Sequence, residues 1–154
     1  MTVVSCFRFS LIYLVFLSFS AKSFCFDEAG FYYDINPSLL KAIAYTESRL
    51  KPDAVNKANS NGTVDYGLMQ INSWWFETLA DLGISKSDVI NDPCINVFVG
   101  AWILAQNFKS HGEGWLAIGG YNAGFSKTKN KVRARDKYIS LVRKNFEQIM
   151  KRDI

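Results

Sequence analysis

Residues 37–72 read PSLLKAIAYTESRLKPDAVNKANSNGTVDYGLMQIN and contain two acidic side chains, Glu47 and Asp65, on which the interpretation of the whole chain depends. The first part predicts a helix that begins after Asn36, because an asparagine side chain caps the free N–H groups of a first turn. Pro37 suits the first helical position, since its φ is already helical and its missing N–H would have no partner there. The stretch therefore predicts a helix, a polar loop and then a glycine-containing motif.

Glu47 lies on the apolar face of the predicted helix. Its spacing from Leu40, Ile43 and Ala44 places all four side chains on one stripe, the stripe that packs against a protein core. Loss of water and the negative end of the helix dipole both disfavour a charged carboxylate there, so they raise its pKa. We therefore expect Glu47 to be protonated near neutral pH. The alternative is a glutamate that simply ends a helix in solvent.

Asp65 follows a polar segment, NKANSNGTV at residues 56–64, which predicts a loop or a hairpin turn. In such polar surroundings we expect the Asp65 carboxylate to be ionised. Two acids whose surroundings push their protonation in opposite directions can cleave a glycosidic bond, one as the proton donor and the other as a stabiliser of the sugar cation. Glu47 and Asp65 together therefore predict a glycosidase.

Three motifs, in order along the chain, resemble one known family. They are Glu47-Ser48, DYGLMQINS at residues 65–73 and GYNAG at residues 120–124. Together they resemble the lytic transglycosylases of the SLT type, lysozyme-like enzymes that cleave the glycan of bacterial cell walls. The size of the chain, its N-terminal export signal and its two later cysteines are similar to those of the small muramidases that accompany bacterial type III and type IV secretion machines.

The resemblance implies a fold and a set of residue roles. The expected fold is mainly α (α+β, lysozyme-like), a helical domain with a small β-hairpin or loop region that flanks the active-site cleft. The catalytic residues are expected to be Glu47, as the acid, and Asp65. Ser48 is expected to help hold Glu47, and substrate contacts are expected from Ser48, Gln70, Tyr121 and Asn122.

The same resemblance implies cleavage of the β-1,4 bond between N-acetylmuramic acid and N-acetylglucosamine, with a 1,6-anhydro ring in the product. We expect this product because the motif at residues 120–124 resembles the transglycosylases. Asp65 departs from the commonest transglycosylase pattern, which often has a small residue at this position, and it resembles lysozyme there. Hydrolysis by water is therefore an alternative. A third interpretation is a wall-binding component of a secretion machine that has no catalytic activity.

Residues 1–23 predict a signal peptide. Arg8 supplies its positive charge, and residues 11–19 form an almost unbroken apolar run that is too short to span a membrane comfortably. Ala21 and Ser23 are the small residues of a cleavage site, so we expect cleavage before Phe24 and a periplasmic protein without a membrane span. An uncleaved N-terminal anchor is the alternative. Residues 24–154 then form one domain, with a basic C-terminal segment at residues 127–154.

Signal cleavage would remove Cys6 and leave Cys25 and Cys94. An even number of cysteines in an exported chain predicts a disulfide bond, and two free buried thiols are the alternative. These two cysteines and His111, the single histidine, do not make a zinc-binding set. We therefore expect neither a metal nor a cofactor.

The charge is distributed unevenly along the chain. Residues 127–154 hold ten Lys and Arg against three acidic residues, a net charge of +7, whereas residues 24–126 hold six against eleven, a net charge of −5. Such a basic segment suits the carboxylates of the wall, an anionic membrane surface or a protein partner, unless it is simply a solvated face. We expect a monomer that binds peptidoglycan glycan strands and a secretion-system component that activates or localises it, and no nucleic acid.

Three further helices are predicted from apolar spacing. Residues 27–33 predict a short helix with Phe31 among its inward side chains. Pro93, preceded by Asp92 as its cap, begins a longer helix that we expect to pack at the centre of the domain. The alternating cations of residues 127–137 predict an irregular arm, followed by a final helix over residues 138–152 whose expected buried side chains are Tyr138, Leu141, Val142, Phe146 and Ile149.

Overall fold

Residues 24–152, which this computed structural model describes, form seven α-helices and one small β-sheet. The helices are α1 (Phe26–Tyr33), α2 (Pro37–Ser48), α3 (Phe76–Asp81), α4 (Lys86–Asn91), α5 (Pro93–His111), α6 (Trp115–Ala123) and α7 (Lys129–Met150). The expected mainly helical fold with a small β region is confirmed. Among residues 24–152, none of the helices combines the length and the apolar character that a membrane span requires. The predicted signal peptide, residues 1–23, lies outside the described residues.

The sheet has three two-residue antiparallel strands, β1 (Val55–Asn56), β2 (Asp65–Tyr66) and β3 (Ile71–Asn72), in that order. Its register pairs Asn56 with Asp65 and Asp65 with Asn72. Because paired residues on neighbouring strands point to the same face of a sheet, these three polar side chains form one row. The predicted polar loop is therefore a small hairpin region that gathers amide groups around Asp65.

Helix α2 begins as the sequence predicts. The side chain of Asn36 accepts a hydrogen bond from the backbone N–H of Ser38 (2.8 Å), and Pro37 is the first helical residue. The helix ends before Arg49, whose φ is 57°. Leu40 and Ile43 are fully buried, which fixes the rotation of the helix and therefore the direction in which its last turn presents Glu47.

Helix α5 packs against α1, α4 and α6. Asp92 caps it by accepting hydrogen bonds from the backbone N–H groups of Cys94 (2.8 Å) and Ile95 (3.1 Å). Cys94 in its first turn forms a disulfide bond with Cys25, as predicted, and their Cα atoms are 5.2 Å apart. The bond closes a sequence separation of 69 residues. In the chain-entropy view, a closed loop of that length stabilises the fold by about 4 kcal/mol.

The prediction of an irregular arm over residues 127–137 is wrong, because α7 begins at Lys129 rather than at Tyr138. Lysine, arginine and alanine all favour helix, and the alternation of cations distributes their charges around a helix that is largely exposed. Arg135 is the exception, since it is buried and its Nη1 donates hydrogen bonds to the carbonyl oxygens of Gly124 (2.9 Å) and Ser126 (2.7 Å). These bonds attach the loop after α6 to α7.

Two side chains expected in the core are exposed. Phe31 is 92% exposed, because α1 turns the face of Ala29 inward and Phe31 lies about 200° further round the helix. Leu141 is 44% exposed, because the buried stripe of α7 runs through Tyr138 and Val142 and leaves Leu141 at its edge.

The loop of residues 67–70, GLMQ, joins β2 to β3, and three of its four residues are buried. Side chains from three helices satisfy its backbone polar groups. Ser48 on α2 donates to the carbonyl oxygen of Leu68 (2.8 Å), and Tyr121 on α6 donates to that of Met69 (2.9 Å). Asn96 on α5 accepts from the backbone N–H of Met69 (2.8 Å). The loop is therefore positioned by the helices around it.

Asn96 connects this loop to two other elements. Its Nδ2 donates to the carbonyl oxygens of Tyr66 on β2 (2.9 Å) and Val89 on α4 (3.0 Å), and its side chain is 1% exposed. Gly67 packs so closely against this amide that a Cβ at that position would clash with it, and its φ of 78° also favours glycine. One buried amide therefore holds β2, the loop and α4 together.

We expect Asn96→Ala to lower the free energy of unfolding by about 3 kcal/mol, because three buried backbone groups lose their partner. Urea denaturation monitored by circular dichroism measures the change. Asn91→Ala is the matched control, since Asn91 is an exposed amide on α4 that bonds to the Ser87 hydroxyl. The control should change stability by less than about 0.5 kcal/mol. Equal stability of the two variants would contradict this account of the loop.

Candidate active site

A polar cleft of about 340 Å³ lies between α2, the sheet and α6. It is lined by Glu47, Asn56, Asn59, Asp65, Gln70, Asn72, Tyr121 and Asn122. The structure thus brings together five of the six residues predicted to act in catalysis or substrate binding, from three separate parts of the chain. Among the described residues, no three His, Cys, Asp or Glu side chains are grouped closely enough to hold a metal ion.

Glu47 lies at the end of α2, half-buried, with its carboxyl group in the cleft. The hydroxyl of Tyr138, on α7, donates a hydrogen bond of 2.6 Å to its Oε1. Tyr138 is itself buried, and α7 packs along α2, so the bond is held on both sides by helix packing. The second carboxyl oxygen, Oε2, is the one that can carry a proton.

Burial raises the pKa of Glu47 from its ordinary value of 4.5 to about 7. The hydrogen bond from Tyr138 opposes this rise because it favours the charged carboxylate, and the negative charge of Asp65 adds to it. The sequence therefore predicted the rise in the Glu47 pKa correctly, but it did not predict the opposing hydrogen bond from Tyr138. Both the protonated and the ionised form of Glu47 are therefore accessible near neutral pH, which suits a group that both gives and takes a proton.

Asp65 accepts three amide hydrogen bonds. Nδ2 of Asn56 and Nδ2 of Asn59 each lie 2.9 Å from its Oδ2, and Nδ2 of Asn72 lies 2.6 Å from its Oδ1. A carboxylate that is ionised has acceptors only, so three donors suit it. Asn56 and Asn72 come from the flanking strands, which is why the register of the sheet matters for the site.

Tyr121 lines the cleft while its hydroxyl donates to the backbone of Met69. Burial and the charges of Glu47 and Asp65 raise the pKa of its phenol well above the ordinary value. Burial, followed by the charge of Glu47 and the hydrogen bond to it, does the same for the pKa of Tyr138. Both phenols therefore stay neutral hydrogen-bond donors over the physiological pH range.

Ser48 is the predicted substrate-binding residue that the structure places elsewhere. It is 7% exposed, and its hydroxyl donates to the carbonyl oxygens of Ala44 (3.1 Å) and Leu68 (2.8 Å), so it supports the loop and does not face the cleft. Gln70 does line the cleft, with its amide donating to Gly67 O (2.9 Å) and Ala54 O (3.2 Å). Asn122, also predicted, is an exposed member of the lining.

Sequence reasoning missed Tyr138 as a member of the site and assigned it only to the core. It lies 91 positions from Glu47, and no local pattern distinguishes it from other inward tyrosines. The amide groups around Asp65 were also missed. The sequence predicts a loop or a hairpin turn before Asp65 but not its register, and it is the register of the strands on either side of Asp65 that brings Asn56 and Asn72 to it.

A helical domain in which a half-buried glutamate and an aspartate line one cleft has the architecture of the lysozyme-like class. Comparison with known proteins then identifies the family, since the domain described as Transglycosylase SLT domain matches residues 24–141. The chain belongs to this family of peptidoglycan-cleaving transglycosylases, as its three motifs predicted.

Several curated proteins are similar to most of the chain. Protein IpgF of Shigella sonnei is 43% identical over 128 residues, which cover 83% of this chain and 84% of that protein. Invasion protein IagB of Salmonella typhimurium is 41% identical over 125 residues, covering 81% and 76%. A peptidoglycan-binding-like protein of Escherichia coli O157:H7 is 40% identical over 146 residues, covering 89% and 87%.

A solved structure has the same fold. An inactive mutant of the lytic transglycosylase Slt from Pseudomonas aeruginosa matches with a TM-score of 0.66 at 22% identity, over 86% of this chain and 24% of that one. At this level of identity the likeness concerns the fold alone.

We expect Tyr138→Phe to raise the pKa of Glu47 further, by about half a unit to one unit, because the hydrogen bond that favours the carboxylate is lost. NMR titration of the Glu47 carboxyl carbon measures the shift independently of activity. Tyr45→Phe on α2 is the matched control, since Tyr45 is exposed and lies beside Arg49. An unchanged Glu47 pKa in Tyr138→Phe would show that the bond has no such role.

Glu47 should also make stability depend on pH. Between its ordinary pKa of 4.5 and about 7, the folded state binds more protons at this residue than the unfolded state does. The contribution of Glu47 to the free energy of unfolding therefore falls as pH rises through that window. We expect Glu47→Gln, which does not titrate, to gain about 2 kcal/mol relative to the natural protein across it, after discounting for partial solvent exposure. Parallel pH dependence of the two proteins would contradict the raised pKa.

Proposed function

We propose that this protein is a peptidoglycan lytic transglycosylase that cleaves the β-1,4 bond between N-acetylmuramic acid and N-acetylglucosamine and leaves a 1,6-anhydro product. The observation that carries the proposal is the Glu47 carboxyl, which lines a polar cleft with a pKa of about 7. Membership of the Transglycosylase SLT family supports the same reaction. Such a group can donate a proton at neutral pH, as an ordinary exposed glutamate cannot.

In the first step, protonated Glu47 gives its proton to the glycosidic oxygen as the bond from that oxygen to C1 of muramic acid breaks. The leaving glycan departs as an alcohol, and positive charge develops on the muramic acid ring. Asp65, held by three amide donors, is the negative group on the cleft wall that stabilises this charge. The amide donors hold its carboxylate so that it need not reorganise during the step.

In the second step, Glu47 is a carboxylate and takes the proton from the 6-hydroxyl of the same muramic acid. The freed oxygen attacks C1 and closes the anhydro ring, so Glu47 regains its proton and no water is consumed. The opposing effects of burial and Tyr138 suit this cycle, because they keep the pKa of Glu47 near neutrality rather than far to either side.

Hydrolysis is the second candidate reaction, and the surroundings of Asp65 favour it. An aspartate that lines the cleft and is fixed by Asn56, Asn59 and Asn72 resembles the second carboxylate of a lysozyme more than the small residue common in transglycosylases. In that reaction water attacks C1, and the product keeps a reducing end.

We propose further that the protein is exported to the periplasm, with residues 1–23 cleaved, and opens the wall locally for a secretion apparatus. The disulfide Cys25–Cys94 supports an oxidising compartment. One relative is named an invasion protein, which supports a link to such an apparatus. A component of that apparatus would activate or localise the enzyme, since uncontrolled wall cleavage would harm the host cell.

Purified peptidoglycan digested in water labelled with heavy oxygen tests the reaction. We expect unlabelled 1,6-anhydro muropeptides by mass spectrometry, because no water enters the products. Glu47→Gln should lower the rate by about 10³-fold while circular dichroism stays unchanged. Asp65→Asn should lower it less, by about 10- to 100-fold, because it removes electrostatic stabilisation and not the proton donor.

If the natural protein instead releases muropeptides with newly formed, labelled reducing ends, the reaction is hydrolysis. Binding of glycan without release of any product, with Glu47→Gln behaving identically, would replace both reactions with a wall-binding role.

A further inference from the structure

The start of α7 and the two residues before it form an exposed basic segment. Residues 127–133, KTKNKVR, hold four cations and no acidic residue, and every one of them is exposed. The rest of α7 is nearly neutral on its surface, since the exposed charges of residues 136–150 are three cations and two acids. The excess of positive charge is therefore confined to one end of the helix.

Two sets of hydrogen bonds hold the neighbouring turn of α7 against the walls of the cleft. Arg135 donates to the carbonyl oxygens of Gly124 (2.9 Å) and Ser126 (2.7 Å), in the loop after α6. One turn further along α7, Tyr138 donates to Glu47 (2.6 Å). The basic segment therefore projects from the part of α7 that is attached both to Glu47 and to the end of α6.

Lys131 lies on the side of α7 that faces Glu47. It precedes Tyr138 by seven residues, or two helical turns, so the two side chains leave the helix in nearly the same direction, about 10 Å apart along its axis. Tyr138 is buried, whereas Lys131 is exposed. The side of α7 that contacts Glu47 thus continues into solvent and carries a cation there.

The substrate of the proposed function is anionic. The muramic acid of the wall carries a peptide stem with free carboxylates. A stem of about four residues extends roughly 13 Å, which is enough to cover the 10 Å or so between Tyr138 and Lys131 along α7. Asp65 in the cleft repels such carboxylates, and exposed cations beside the cleft offset that repulsion and attract the stem.

We propose that Lys131 binds a carboxylate of the peptide stem on a muramic acid held in the cleft. The inference rests on the proposed function and deepens it, because it makes glycan with intact stems the preferred substrate over glycan whose stems carry no charge. Lysine suits this role, since its ammonium is a compact charge on a flexible side chain and can follow a mobile carboxylate. The other cations of residues 127–133 add to the attraction.

An anionic lipid surface is the competing partner for a basic helix. A helix that lies on such a surface buries its apolar face in the lipid and presents cations beside it. The apolar face of α7 is instead buried in the domain through Tyr138 and Val142. Asp136 and Glu147 interrupt the cations on its exposed face. We therefore assign the basic segment to the peptide stem.

Binding of soluble, uncrosslinked glycan strands to the Glu47→Gln protein tests the proposal without turnover. The probes are strands with intact peptide stems and the same strands after their stem carboxylates have been converted to neutral amides, each titrated by calorimetry. We expect amidation to weaken binding about fivefold at low salt, because the stem loses its attraction to Lys131. Added salt should reduce the difference, since both charges are exposed to solvent.

Charge variants in the same background test the residue. Lys131→Glu should weaken binding of the intact strands about tenfold and reduce the effect of amidation, whereas Lys131→Arg should keep both. Lys144→Glu is the matched control, because it makes the same change of charge at an exposed lysine of α7 that lies about 220° round the helix from Lys131. The control should bind both kinds of strand as the Glu47→Gln protein does.

Equal binding of the intact and amidated strands, or equal effects of Lys131→Glu and Lys144→Glu, would overturn the proposal. A Lys131→Glu protein that lost binding to phosphatidylglycerol vesicles but kept its binding to intact strands would also overturn it, in favour of a lipid surface.

Turnover by the natural protein separates this inference from the function on which it rests. If 1,6-anhydro products are released while amidation leaves binding unchanged, this inference alone fails. If amidation and Lys131→Glu weaken binding but no product is released, the inference stands and the proposed reaction fails.

Discussion

The burial of residues 67–70 is the constraint on which the rest of this structure depends. A buried loop cannot leave its N–H and C=O groups without partners, and this one is too irregular to pair them within a sheet. Ser48, Asn96 and Tyr121 supply the partners from α2, α5 and α6. The same bonds fix the ends of β2 and β3. The hydrogen bonds to the loop therefore also determine the positions of Asp65 and Asn72.

This constraint also sets the environment of Glu47, the proposed catalytic acid. Ser48 bonds to the loop and is the residue next to Glu47, so the last turn of α2 cannot rotate without breaking that bond. Helix α7 then covers the opposite side and brings Tyr138 to Oε1 of Glu47. Burial raises the pKa of the acid and the phenol limits the rise, which leaves Glu47 able to give and to accept a proton. The pKa of Glu47 thus reflects two opposing effects, burial, which raises it, and the hydrogen bond from Tyr138, which lowers it.

The domain presents two surfaces of opposite character. The cleft is polar, with amide groups around one carboxylate, and suits a sugar chain. A groove between α1, α5 and the connection from α3 to α4 is lined mainly by apolar side chains. Helix α5 lies between them, since Asn96 supports the loop behind the cleft while Ile95 and Val99 line the groove. One helix thus supports the polar cleft with one face and lines the apolar groove with another.

The sequence by itself determined the features that depend on neighbouring residues: the caps at Asn36 and Asp92, the apolar stripe that carries Glu47, the motifs of the family and the pairing of the only two cysteines beyond residue 23. It was wrong about the start of α7, because the alternation of cations was given more weight than the helix propensity of lysine, arginine and alanine. It was also wrong about Phe31 and Leu141, because the rotation of a helix against its neighbours is weakly marked in the local sequence. Only the tertiary structure decided that Tyr138 bonds to Glu47 and that Ser48 supports a loop instead of facing the cleft. Those contacts join residues far apart in the chain, and their geometry is set by how whole helices pack.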